Sequence, residues 1–364
     1  MKKRRISRST KSGIFTYALV VAAFLILQVM LGGGGLTSSL KGQLVPICAY
    51  VVMAISLNLT VGVLGELSLG HAGFMSVGAF SGVVAAISLE SVIPSDVLRL
   101  AVAMVIGALC AGVAGVVIGI PVLRLKGDYL AIVTLAFGEI ILNIINCLYV
   151  GMDSRGLHFH ILGSAADLGL KEGGRVIING PAGISGIPKL ATFAAGFVLI
   201  LITLFVVLNL IHSRTGRAIL AVRDNRIAAE SVGIGVTKYK MTAFVTSAAL
   251  AGAAGVLFAM NFSTIVPTKF NFNTSILVLV FVVLGGLGNM WGSIIAAAAL
   301  TVLPEMLRQF NDYRMLVYAI VLILVMLLTN NPFCKDLWGR LRDKLQSRAE
   351  AKAAAAVKGG TDHE

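Results

Sequence analysis

The chain has 364 residues, of which 57% are hydrophobic and 13% charged; 30 Lys and Arg against 17 Asp and Glu give a formal net charge of +13. Soluble domains carry about 25% charged residues, so this composition excludes a soluble globular protein and points to an all-α polytopic membrane protein. The positive charge is read as orientation rather than as nucleic-acid binding, because basic residues collect on the cytoplasmic side of membrane proteins. The cysteines Cys48, Cys110, Cys147 and Cys334 lack paired or metal-like spacing, so no disulfide, no metal site and no cofactor is expected.

In chain order, a basic head (residues 1–13, with Lys2, Lys3, Arg4, Arg5, Arg8 and Lys11) precedes a first apolar run at 14–31. No small-residue cleavage site follows it, which favours a retained anchor over a cleaved signal peptide. Further segments long enough to cross a bilayer lie at 44–61, 65–88, 98–120, 128–149 and 190–211. The second and third are joined by a run broken at Gly62, Gly65, Gly70 and Gly73, which brings Glu66, Ser68 and His71 into an apolar stretch. Irregular backbone and ionisable groups are tolerated in hydrocarbon only inside protein or beside water. This predicts a broken helix near 62–74, whose Glu66, Ser68 and His71 either line a translocation path or hold the break in shape. Within 128–149, Glu139, Asn143 and Asn146 share one helical face, expected to pack into the bundle; Glu139 is a candidate for the path, with His71 as a possible partner.

Residues 150–189 carry mixed charge and a glycine- and proline-rich end, read as turns in either a solvated connector or a structured extracytoplasmic cap. Residues 212–240 are basic. Arg217–Val232 has helical chemistry, with Arg226 and Glu230 spaced to pair and Gly233 placed to stop the helix. Such a helix lies either in the lipid headgroups or in a groove of a partner protein. Spans follow at 241–260, 274–288, 291–304 and 315–330, the middle two forming either one bent element or two short crossings around Gly285–Asn289. Parity then fixes the topology. About ten crossings (eight or nine being the alternatives) put the head, the 212–240 loop and a basic tail at 331–364 on one side, with both termini cytoplasmic.

Several separated stretches resemble a known family. Ser56-Leu-Asn-Leu with Gly65-Glu-Leu-Ser-Leu-Gly-His-Ala-Gly-Phe74, then Arg124–Ile140, Gly183–Pro188, Ser213–Ala218 continuing through Ala228–Gly233, and Val283–Gly292 stand in the order found in LivM-type permease subunits of branched-chain amino acid ABC importers. The resemblance covers about residues 44–330 and makes 14–330 a permease domain. It implies a second permease subunit, two ATP-binding cassette subunits docked on the coupling loop, an extracytoplasmic substrate-binding protein, and residence in a bacterial inner membrane. The loop residues carried over as ATPase-coupling are Arg223, Asp224, Arg226, Ala228, Ala229, Glu230 and Gly233. The Glu-Ala-Ala…Gly order of ABC importers departs here, since Glu230 follows the alanines.

The chain contains no Gly-x-x-x-x-Gly-Lys-Ser/Thr phosphate loop, so a transport subunit without its own ATPase is expected rather than an enzyme. The alternatives are an ABC permease for urea, amides or aromatic acids, and a stand-alone ion-coupled secondary transporter.

Overall fold

The computed structural model describes residues 8–32, 38–125, 127–153, 156–170 and 174–307, with isolated positions between 313 and 327. The chain divides into two units, Met1–Glu305 and Met306–Glu364. The basic tail at 331–364 and residues 1–7 of the head lie outside the described residues. Of the tenth expected span only isolated positions, nearly all helical, are described.

Among the described residues there are eleven α-helices: α1 Arg8–Gly32, α2 Ser38–Asn58, α3 His71–Ser88, α4 Asp96–Val122, α5 Asp128–Asn146, α6 Phe193–His212, α7 Arg214–Asp224, α8 Arg226–Ser231, α9 Val236–Ala259, α10 Phe272–Gly285 and α11 Met290–Met306. Among the described residues, seven segments are long and apolar enough to cross a membrane: α3, α4, α5, α6, α9, α2 with its continuation to Leu64, and α10 with its lead-in from Pro267. The apolar parts of α1 (Thr16–Leu31) and α11 are shorter. Nine expected spans are therefore helical where apolar length placed them. The 274–288 and 291–304 pair forms two helices, turned back on each other where Gly285 and Gly292 touch backbone to backbone.

The chain leaves two distinct ends to this bundle. Asn261 Nδ2 reaches Gly42 O (3.4 Å), the Ala191 amide reaches Met260 O (3.4 Å), and the Ser39 hydroxyl meets the Glu305 carboxylate, which gathers the start of α2, the start of α6, and the ends of α9 and α11. The opposite end holds α7, α8 and the Gly286–Asn289 turn.

Helix α2 is the spine, with 89% of its apolar window buried inside the protein. Helix α9 lies against it, and α3, α4 and α9 pack on one another along a seam of small residues. A Cβ at Gly78 would lie 2.2 Å from Gly252 O, one at Gly255 would lie 2.0 Å from Met75 O, and one at Gly252 would lie 2.7 Å from Gly107 O. Helices in lipid gain association from such backbone proximity because the hydrophobic effect no longer separates helix from solvent.

The segment 150–189, expected as turns in either a solvated connector or a structured cap, holds strands. It contributes to a five-stranded antiparallel sheet of order β2-β1-β3-β4-β5, built from β1 Leu148–Asp153, β2 Gly156–Ile161, β3 Arg175–Asn179, β4 Ile184–Ser185 and β5 Thr264–Ile265. The alternation Leu157-His-Phe-His-Ile161 is a strand period of two, and the turn-rich composition obscured it. Strand β1 also takes residues 148 and 149 from the expected span, so α5 ends at Asn146. Gly183 joins β3 to β4 at φ +73°, with space for a Cβ only 2.0 Å from Ile265 O. Gly183→Val is expected to detach β4 from β5 and to cost about 2 kcal/mol or more, read as a lowered unfolding temperature of the purified protein and faster proteolysis between residues 180 and 190.

Candidate functional site: a helix break and the loop fastened to it

The spine helix does not end cleanly. After Asn58 it widens into a π-turn over Leu59–Leu64, and Gly65 takes φ +80°. The chain then runs without regular structure to Gly70 and restarts as α3 at His71. The Glu66 amide bonds back to Thr60 O (3.1 Å), which leaves the Gly62 carbonyl without its helical donor. Isolated π-turns are costly and concentrate at functional positions. The predicted break is thus present, over Gly65–Gly70.

The three polar residues of the break point to different partners. The Glu66 carboxylate forms an ion pair with Lys240 near the start of α9, the two side chains being 14% and 6% exposed. His71 is buried, with Nε2 2.8 Å from Ser56 Oγ. Ser56 already gives its only proton to Met53 O (2.8 Å), so His71 donates from Nε2. That bond ties the first residue of α3 across to α2, which is the shape-holding role. Ser68 is 1% exposed and its hydroxyl finds no protein partner among the described residues; the Thr60 hydroxyl is in the same state. Leu69 N–H donates to Thr134 Oγ1 of α5 (3.1 Å), and Gly70 lies against Thr134 O and Gly138.

A second glycine turn meets the first. Gly288 N–H donates to Asn58 Oδ1 (2.8 Å), and Asn58 Nδ2 donates to Ser293 Oγ (2.9 Å). A Cβ at Gly62 would fall 2.1 Å from Gly288 N. Asn58 therefore stitches the α2 break to the α10–α11 turn. In the sequence Ser56 and Asn58 are marked only as a polar pair in an otherwise apolar span. Asn58→Ala strands the Gly288 amide, while the Ser293 hydroxyl keeps its own bond to Asn289 O (3.1 Å). The expected cost is about 1–3 kcal/mol, measured as a drop in the melting temperature of the detergent-solubilised protein.

The 212–240 loop forms two helices where one was expected. Asn225 breaks the run with extended backbone (φ −155°, ψ 104°) and caps α8 through Oδ1, which accepts from Ala228 N at 3.0 Å. Asparagine offers this bond more readily than it continues a helix. Arg226 Nε and Glu230 Oε1 pair at 3.1 Å, as their spacing predicts. Gly233 at φ +83° closes α8, with bonds from Gly233 N to Glu230 O and from Ile234 N to Ala229 O. Val222, Ala229 and Val236 make a small apolar core with Ile234, so Ala229 faces inward. The outward face carries Ala228, Glu230, Ile227 (80% exposed) and Val232 (74% exposed). Ile227 and Val232 were missed in the sequence, where they read as ordinary helix filler. Asp224 is exposed and pairs with Arg223 at 2.9 Å, while Arg223 Nη1 also donates to Gly62 O (3.2 Å). The loop thus grips the break directly.

The polar stripe of α5 is placed otherwise than expected. Its buried face is Leu130, Ala131, Thr134, Ile141 and Ile145. Asn143 is exposed and Glu139 half-exposed, so the stripe faces off this bundle instead of into it. The reason is that Gly70 and Gly73 pack against the opposite, small-residue side of α5 at Gly138. The Glu139 side chain has no partner among the described residues, and His71, taken up by Ser56, is not paired with it.

A cavity lies away from the break. It measures about 640 Å³ at the sheet end, between α3, α4, α5 and the β1–β2 hairpin, and is lined by apolar groups such as Phe80, Ile106, Ile144 and Phe159. Ser81 and Ser88 are spent on their own helix carbonyls. Such a space cannot solvate a charged solute. Among the described residues no group of His, Cys, Asp or Glu could hold a metal ion.

The family model described as branched-chain amino acid transport system / permease component matches residues 39–326. The chain belongs to this family. It is 34% identical over 290 residues to the high-affinity branched-chain amino acid transport system permease protein LivM of Salmonella typhimurium and, to the same extent, to that of Escherichia coli, with 76% of this chain and 66% of each relative covered. It is 27% identical over 213 residues to the autoinducer 2 import system permease protein LsrC of an Enterobacter species, covering 52% of this chain and 58% of that one. The match therefore spans just under two thirds of the length of the LivM relatives. No solved structure matches. Membership and the seven apolar spans make the chain a multi-pass membrane protein of the permease family.

Proposed function

We propose that this chain is the translocating subunit of an ATP-driven importer for branched-chain or related amino acids, and is not itself an ATPase. It pairs with a second permease of the same family, docks separate ATP-binding cassette subunits through α7–α8, and receives its ligand from an extracytoplasmic binding protein at the sheet end. It resides in a bacterial inner membrane with both termini cytoplasmic. Glu66, Ser68 and His71 at the break, with Glu139 and Asn143 on α5, belong to or support the substrate path. Arg223, Asp224, Arg226, Ala228, Ala229, Glu230 and Gly233 build the coupling loop.

The observation that carries this reading is the joining of two features at one end of the bundle. A compact two-helix loop presents Ile227 and Val232 to solvent, and the same loop is bonded to the unwound part of the spine helix. A connector that merely lay in lipid headgroups would not need its own core or that grip. The α5 stripe supports the second permease, because a half-exposed carboxylate in a membrane span is stable only beside protein or water. The LivM relatives support the cargo by their names.

The test is uptake of labelled leucine by the chain reconstituted with a second permease, the ATPase subunits and the binding protein. Uptake that requires ATP and all components is expected. Accumulation of leucine by the isolated chain on an ion gradient would overturn the proposal, as would labelling of a Ser231→Cys variant from the outer side of the membrane.

A further inference from the structure

We propose that Arg223 and Lys240 are positioning residues that convey displacement of the α7–α8 loop into the helix break, and through it to the polar stripe of α5. This rests on reading α7–α8 as the ATPase docking loop and assigns the mechanical connection within it.

Two ties cross from the loop to the break, and they grip it at separate points. Arg223, at the end of α7, donates from Nη1 to the Gly62 carbonyl (3.2 Å), the acceptor that unwinding has left without a helical donor. Its stem lies over Gly65, where a Cβ would be 2.6 Å from Arg223 Cγ, so the approach depends on a glycine in the left-handed region. Lys240, in the first turns of α9, holds the Glu66 carboxylate in a mostly buried ion pair. Both ties start from one rigid piece. Val222 precedes Arg223, Val236 lies one turn before Lys240, and these two valines share the apolar core with Ala229 of α8. A push on the exposed face of α8 therefore moves Arg223 and Lys240 together.

Contact continues beyond the break. Leu69 N–H is bonded to Thr134 Oγ1, and Gly70 abuts the Thr134 carbonyl and Gly138, the residue before Glu139. The segment between the ties and α5 has no regular hydrogen bonding from Gly65 to Gly70. Energetic coupling between distant sites requires an element with two arrangements that both sites bias. An unwound segment held at one end by the loop and at the other by α5 has the backbone freedom to supply one. An alternative is that both ties are static staples, and the experiment separates these.

The complete transporter, reconstituted with its ATPase subunits and binding protein, is compared with Arg223→Ala, Arg223→Lys and the neutral pair Lys240→Gln/Glu66→Gln. For Arg223→Ala, leucine uptake is expected to fall about tenfold in maximal rate with little change in KM, while ATPase subunits still co-purify. Arg223→Lys keeps a cationic donor and is expected to regain at least half of the lost rate. A spin-label pair at Ser231 and Ile140, an exposed α5 residue beside the stripe, is expected to lose its ATP-dependent distance change in Arg223→Ala. Uptake by Arg223→Ala within twofold of the parent overturns the inference, as does a lysine variant no better than alanine or a distance change that persists. Should Arg223→Ala fail to fold, the same readouts on Arg223→Lys and the neutral pair decide: parent-like rate and distance change in both overturn it. Failure of the docking reading shows differently, as ATPase subunits that cross-link to the parent complex elsewhere than at an Ile227→Cys variant.

Discussion

Gly255→Leu is expected to leave no folded protein in the membrane. A Cβ there falls 2.0 Å from Met75 O and 3.0 Å from Ala79 N, both backbone atoms of α3, which cannot rotate away. Overpacking a core costs about 1–3 kcal/mol when side chains can give way. Here the whole of α3 must retreat from α9, which opens the Gly78–Gly252 contact on the same seam. The loss should exceed that range and produce aggregated or degraded material, scored by membrane abundance and by size-exclusion profile in mild detergent. Gly42→Ala is the control: a Cβ at Gly42 meets nothing within 4 Å. Recovery of monodisperse Gly255→Leu protein would refute backbone contact between α3 and α9.

The double change Ile227→Glu/Val232→Glu is expected to abolish transport while leaving the fold intact. Both side chains are largely exposed, so the unbound permease loses almost nothing. In a docked complex each carboxylate would be desolvated against a partner surface, and an uncompensated buried charge costs about 3–5 kcal/mol. Leucine uptake should fall at least about a hundredfold, and the ATPase subunits should no longer co-purify. Ala229→Trp reaches a similar end by another route, since Ala229 is 4% exposed and sits in the core shared with Val222 and Val236. It should destroy the loop itself, seen as proteolytic cleavage between residues 213 and 236, a mark that the double glutamate should lack. Transport by the double glutamate at the parent rate would place the docking surface elsewhere.

Apolar run length made the spans legible, because hydrocarbon thickness allows little choice of helix length. The break was legible for a related reason: four glycines with Glu66 and His71 cannot continue a lipid-facing helix. What the polar residues do there was not, since partners such as Ser56, Lys240 and Thr134 stand 15 to 174 positions away and no local pattern announces them. Asn225 was readable in principle as a cap but was outweighed by the alanine-rich run around it. The strands of 148–161 were hidden because glycine and proline nearby dominated the reading of composition. The α5 stripe was correctly seen as one face, and its direction was misjudged because helical periodicity says which residues align and not what lies opposite.

The bond from Gly288 to Asn58 spans 230 positions of chain. During synthesis at roughly 5–20 residues per second, Asn58 is therefore threaded into the bilayer roughly 10–50 seconds before its acceptor is claimed. For that interval a carboxamide in the spine of the bundle has to be sheltered by the insertion machinery or by transient water. Nascent chains halted before residue 288 are thus expected to be preferred clients of membrane quality-control proteases, and release from that surveillance should coincide with emergence of the α10–α11 turn.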